Sequence, residues 1–149
     1  MSNEVIRLVK KSPMFYDLLD REVEAIISDC RVIRYDKLDE VLRAGEHSEN
    51  LTIVIDGKVD LKRGDGTFLT LGPGSLFGEL LLLNDDKVTA DVIASSKQVD
   101  ILEIPYYKIH NFYGEDLRTY AILMANLAKM LAKRLKRAGE TIQKIKEQS

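Results

Sequence analysis

The residues best suited to chemistry lie in Gly72-Pro73-Gly74-Ser75-Leu76-Phe77-Gly78-Glu79. This glycine-rich loop ends on a carboxylate and runs into four leucines, Leu80 to Leu83, then polar Asn84-Asp85-Asp86-Lys87. The pattern reads as a loop opening into one buried helical turn. Free N–H groups at the start of such a turn point forward, and an anion suits them. Gly78 allows a ligand or another backbone to approach closely. Other chemistry is sparse. His47 and His110 read as unclustered, and Cys30 is the only cysteine. One cysteine excludes an internal disulfide and, within one chain, an iron–sulfur or multi-thiolate zinc site. No Ser-His-Asp order, Walker loop or histidine cluster is visible, so no catalytic residue and no metal are assigned. Asp85-Asp86 reads as a solvated loop rather than an acid–base pair.

The elements that position this stretch follow from spacing. Residues 2–29 read as helical, with a break at Ser12-Pro13 because proline lacks the N–H and restricts its predecessor. Asp20 is expected to cap a second helix whose Val23, Ile26 and Ile27 face inward. From Cys30 to Pro105, short β-rich runs recur: Arg31–Tyr35, Glu40–Leu42, Leu51–Ile55, Lys58–Lys62, Phe68–Leu71, Thr89–Ala94 and Val99–Ile104. Many short strands at this spacing indicate a sandwich or barrel. Asp56-Gly57 is expected to turn one hairpin, because a tight hairpin needs positive φ, and Gly64-Asp65-Gly66 the next. Tyr106 to Tyr113 reads as a short helix, separated by Gly114 from a long final helix, Glu115 to about Gln148. Tyr106, Tyr107, Phe112, Tyr113 and Tyr120 are expected to cluster where the β-rich body meets that helix. They read as packing or, alternatively, as a ring platform for a planar ligand.

Along the long helix, Ala121, Met124, Ala128, Leu131, Leu135, Ala138, Ile142 and Ile145 step by alternating threes and fours, a heptad seam. Leu117, Tyr120, Leu123 and Leu127 form a second stripe, expected to dock on the home domain. The seam is therefore read as a homodimer interface; the alternative is one helix lying along its own domain. The 149 residues carry 22 Lys/Arg and 24 Asp/Glu, a net of −2, which is not a nucleic-acid binder's balance. Within residues 129–149, seven Lys/Arg oppose two Glu, giving +5, and the remaining 15 basic and 22 acidic residues give −7. The basic tail reads first as a solvated helix end and second as a surface for an acidic partner. No apolar run approaches the ~20 residues of a membrane span. The start, Met1 to Lys11, lacks a signal-peptide core. The expected compartment is the cytoplasm.

Three segments in order resemble one family. Gly45-Glu46 followed by Thr52-Ile53-Val54-Ile55-Asp56-Gly57-Lys58-Val59, then Leu71 to Leu80, then Ala90-Asp91-Val92-Ile93-Ala94, resemble the cyclic nucleotide-binding domain of the catabolite activator and fumarate–nitrate regulator superfamily. The resemblance covers about residues 10–145. It implies a mainly β fold with flanking helices: a jelly-roll (double-stranded β-helix) of eight strands, N-terminal helices and a long C-terminal dimerisation helix. One domain, 1–149, is expected, with helices over 1–29, the β-roll over 30–105 and helices over 106–149. It also implies a phosphate-binding cassette. Glu79 would hold a ribose hydroxyl, and N–H groups of Gly78 and Leu80 would meet a cyclic phosphate. Thr89 would add a contact. The candidate pocket is therefore Phe77, Gly78, Glu79, Leu80, Val88, Thr89 and Ala90.

Three departures from that family follow. The family's phosphate-neutralising arginine is Val88 here, and losing a charge-assisted bond of ~1.5–3 kcal/mol weakens affinity roughly 10- to 100-fold. Lys87, next to it in an extended segment, faces the opposite side. Where the catabolite activator has a Thr-Ser pair against adenine, this chain has Ala138-Gly139. The chain also stops at Ser149 and, read as complete, carries no helix-turn-helix DNA-binding domain. The expected function is a non-enzymatic small-ligand sensor that couples a pocket in the roll to a dimerisation helix. No cofactor is assigned, and cyclic AMP and cyclic GMP are disfavoured. The alternatives are a ligand-free protein-interaction adaptor dimer and the sensor half of a transcriptional regulator.

Overall fold

In the computed structural model, residues 2–64, 66–78 and 87–148 are described. Helix α1 spans Asn3–Val9, and the Ser2 hydroxyl at its N-cap accepts from the Val5 N–H. A 3-10 turn at Pro13–Phe15 follows the expected break. Helix α2 spans Asp20–Ile27. Asp20 is not its cap: Leu19 holds that position, and the Glu22 carboxylate reaches back to accept from the Leu19 N–H at 2.8 Å. Asp20 faces outward and pairs with Lys10 instead.

Among the described residues eight strands follow: β1 Arg31–Asp36, β2 Glu40–Leu42, β3 Asn50–Asp56, β4 Val59–Arg63, β5 Gly66–Leu71, β6 Leu76–Phe77, β7 Asp91–Ala94 and β8 Gln98–Pro105. They form two antiparallel four-stranded sheets, ordered β1-β8-β3-β6 and β2-β7-β4-β5. This is the jelly-roll that the resemblance implies. The expected hairpin at Gly64 forms, with Arg63 opposite Gly66. The one at Asp56-Gly57 does not, because β3 and β4 lie in different sheets. Both edges of β3 are already taken, by β8 and β6, so the turn carries the chain across to the second sheet. The turn still needs its glycine: Gly57 has φ +82°, and a Cβ there would lie 2.3 Å from the Gln98 carbonyl oxygen. Positive φ at a Asp-Gly pair marks a tight turn; it does not decide which strand is the partner. Strand β6, buried but only two residues long, was not anticipated.

Helix α3, Tyr106–Glu115, runs through Gly114, and the break falls at Asp116, whose φ of −152° lies outside the helix. Asp116 then caps α4, Leu117–Gln148, by accepting from the Thr119 N–H at 3.2 Å. Two cores result. One, between the sheets, joins Val54, Val59, Phe77, Val92, Ala94, Val99 and Ile101. The other joins the outer face of the first sheet to the helices, through Phe15, Ile26, Leu51, Leu102, Ile109, Leu123 and Leu127 among others. The N-terminal segment is tied to α4 by polar contacts. Buried Asn126 donates to the Met14 and Tyr16 carbonyls at 3.0 and 2.7 Å. Glu22, 5% exposed, accepts from Arg118 and lies 2.8 Å from the Thr119 hydroxyl. The Arg118 guanidinium holds the Glu22 carboxyl down at about 2.

Candidate functional site

Strand β6 delivers Phe77 and Gly78 to the middle of the molecule. Phe77 is buried between the sheets. Gly78 has φ +91°, and a Cβ there would lie 3.1 Å from the Asn50 carbonyl oxygen and 3.2 Å from the Tyr106 hydroxyl. Only glycine takes this conformation at this distance without strain. The Tyr106 hydroxyl donates to the Gly78 carbonyl at 2.6 Å. Burial pushes the Tyr106 phenol well above its ordinary pKa, so it stays a proton donor. The sequence marked Tyr106 only as an aromatic near the helix junction. Its tie to Gly78 joins positions 28 residues apart, which no local pattern exposes. Glu79 and Leu80, and the expected helical turn over Leu80 to Leu83, lie outside the described residues.

On the far side of the candidate cassette, exposure alternates: Lys87 and Thr89 are exposed, Val88 and Ala90 buried. This is the period of two expected of an extended segment. Val88 is held by both backbone groups, its carbonyl accepting from the Gly45 N–H at 2.8 Å and its N–H donating to the Glu46 carbonyl at 2.9 Å. Beside it, the Ala44 N–H donates to Asp91 at 2.8 Å. Arg43, the cation in this loop, pairs with Glu40 at 2.7 Å and lies 3.8 Å from Glu46. It is therefore turned to the surface carboxylates. Among the described residues, no lysine or arginine is buried; the core between the sheets is built of aliphatic side chains and Phe77, with buried Thr52 as the polar side chain near Gly78.

The two histidines, which the sequence left apart, line one groove of about 570 Å³ with Glu49, Tyr106 and Tyr107. The start of β3 and the start of α3 bring them there. His47 lies 3.9 Å from Glu49. Among the described residues, no three His, Cys, Asp or Glu side chains gather as a metal site. The expected aromatic cluster forms in part: Tyr113 and Tyr120 meet edge to face with centroids 5.5 Å apart, and Phe112 is buried, but Tyr107 is 64% exposed.

Helix α4 divides along its length. Leu123 and Leu127 are buried on the home domain, and Tyr120 partly so. Leu117, expected in that stripe, is exposed, because it is the first residue of the helix, ahead of the part that the 3-10 turn covers. Of the heptad seam, Met124 and Leu131 are partly covered at home. Ala121, Ala128 and Ala138 are exposed, as are Leu135, Ile142 and Ile145 at 76%, 54% and 61%. No helix among the described residues is long and apolar enough to cross a membrane.

A jelly-roll with a glycine-opened loop over its core and a long helix behind it defines a regulatory domain of the cyclic nucleotide-binding type. The pattern of the cyclic nucleotide-binding domain family matches residues 32–116, and the chain belongs to that family. It is 30% identical over 135 residues to the cyclic AMP receptor protein of Thermus thermophilus, covering 87% of this chain and 60% of that protein. It is 30% identical over 99 residues to a cGMP-dependent protein kinase of Eimeria tenella, covering 66% of this chain and 10% of the kinase. Among solved structures, the Thermus thermophilus catabolite activator protein superposes with a TM-score of 0.76 at 28% identity, covering 91% of this chain and 63% of that one. The chain thus spans 60% and 10% of the lengths of these two curated relatives.

Proposed function

We propose that this chain is a non-enzymatic ligand-sensing module that works as a homodimer. A small neutral or weakly charged molecule binds the roll at the segment from Phe77 to Ala90. The observation that carries this reading is the hydrogen bond from Tyr106 to Gly78. The first residue of α3 holds the opening of the cassette, and α3 packs against α4. A ligand that moves Gly78 therefore acts on the helix pair, and the response is a shift of population between two helix arrangements. The seam of Ala121, Met124, Ala128, Leu131, Leu135, Ala138, Ile142 and Ile145 meets the same seam of a second copy.

The preference for a weakly charged ligand rests on Val88. A buried valine, locked by two backbone hydrogen bonds and flanked by an arginine engaged elsewhere, supports a cassette without a countercharge. The relatives' names speak of cyclic AMP and cGMP; here their binding is weak. A thermal-shift titration with both nucleotides tests this. A ligand at 100 times its Kd adds about 2.7 kcal/mol, which is about 5–11 °C for a domain of this size. No saturable shift is expected up to millimolar nucleotide. Val88→Arg is expected to restore roughly 10- to 100-fold in affinity. A large shift with the parent chain overturns the weak-binding reading. The second reading, a ligand-free adaptor, draws on the full exposure of residues 132–148. Glu79→Ala separates the two: it abolishes a ligand response in the sensor and leaves partner binding intact in the adaptor.

A further inference from the structure

The cations of the distal part of α4 are not scattered. Lys129, Lys133, Lys136, Arg137 and Lys144 fall at i, i+4, i+7, i+8 and i+15. At about 100° per residue these positions share an arc roughly 100° wide. The apolar seam from Ala128 to Ile145 occupies an arc centred roughly 180° away. All five side chains are exposed, and none has an ion-pair partner among the described residues. Glu140 and Glu147 lie within the same arc, so the face carries five positive and two negative charges. Helix α4 is 32 residues long, and everything past Leu131 projects beyond its own domain. The stripe is therefore a rigid row about 22 Å long, and it stays uncovered whether or not a second copy occupies the seam.

We propose that this outer face of α4 docks an acidic helical segment of a partner protein, with carboxylates repeating at three- and four-residue intervals. Three features favour that partner over other anions. Four of the five cations are lysines, point charges that match single carboxylates, and the stripe carries no aromatic residue on which a base would stack. A membrane surface would bury the apolar side of the helix, opposite the cations, and in the proposed dimer that side is the seam occupied by the second copy. The rest of the chain carries −7, which repels a long nucleic acid or an extended anionic surface. A short acidic helix lies along the tail and avoids most of that field.

The test uses the full chain and a fluorescent helical peptide of about 18 residues with glutamates at i, i+4, i+7, i+8 and i+15. Its competitors are a single-stranded oligonucleotide of equal charge and phosphatidylserine vesicles. Saturable anisotropy is expected at low salt, weakening as salt rises. A chain carrying Lys129→Gln, Lys133→Gln, Lys136→Gln, Arg137→Gln and Lys144→Gln should bind the peptide at least tenfold more weakly, with unchanged helicity and sedimentation. The unchanged sedimentation separates failure of this surface from failure of the seam. Peptide binding that is absent at low salt, or equal in the five-fold variant, overturns the proposal. Tighter binding of the oligonucleotide or the vesicles overturns it in favour of that anion.

Discussion

The two halves of α4 share one heptad rhythm and have opposite fates. In the first half, Leu123, Asn126 and Leu127 are buried, and Arg118 and Thr119 join the buried Glu22. In the second half every residue from 132 to 148 is exposed, including Leu135 at 76%. Leucine spacing alone does not separate them. What separates them is the 3-10 turn at Pro13–Phe15 and helix α3, the elements that pack on α4; burial along the helix ends at Leu131. A period of three and four states that a helix has an apolar side. It does not state which surface meets that side.

Substitutions in the two halves should separate their roles. The largest effect is expected from Leu123→Ala, about 2–5 kcal/mol of stability in urea unfolding, because a fully buried side chain leaves a cavity. An equal loss from Leu135→Ala would erase the distinction between the halves. The next effect is acid sensitivity. The folded Glu22 pKa of about 2 lies below its ordinary value of 4.5, so its stabilisation is present above 4.5 and is lost as pH falls from 4.5 towards 2. Glu22→Gln should remove that part of the acid transition and lower stability at neutral pH by about 1.5–3 kcal/mol, at the lower end because Arg118 is half-exposed and screened by water. An unchanged acid profile would mean the pair does not fasten the first half of α4. Asn126→Ala leaves the Met14 and Tyr16 carbonyls without their donor and should cost about 1–3 kcal/mol in the same unfolding assay. The smallest effect on the fold is expected from Leu135→Ala, within about 0.5 kcal/mol at protein concentrations where the chain is monomeric. Its effect should appear instead in association, as a weaker dimer by analytical ultracentrifugation. A parent chain that stays monomeric at tens of micromolar overturns the proposed seam.

Much of the roll was legible because strand patterning is local. Glu40–Leu42 has the same bounds in sequence and structure, and the break at Ser12-Pro13 and the turn at Gly64 fall where the residues place them. The misreadings share a cause. Asp56-Gly57 signals a turn through φ, but the partner of β3 is settled by β8 and β6. Asp20 has the right chemistry for a cap, yet Glu22 reaches the Leu19 N–H from inside the helix. His47 and His110 look unrelated until β3 and α3 bring them to one groove. At the candidate site, Gly78 and Val88 were legible as residue types. That Tyr106 holds Gly78, and that Gly45 and Glu46 hold Val88, was not.

Residue types and spacing alone establish most of the strand runs, the valine at position 88, the heptad seam and the asymmetry of charge between tail and body. These are properties of single residues and of short-range periods, which covalent spacing fixes. Only the folded chain settles that β3 and β4 lie in different sheets, that Tyr106 reaches the Gly78 carbonyl, and where along α4 the home domain stops. Those outcomes depend on contacts between residues distant in the chain. There, competition for hydrogen-bonding edges and buried area selects among partners that local patterns leave equivalent.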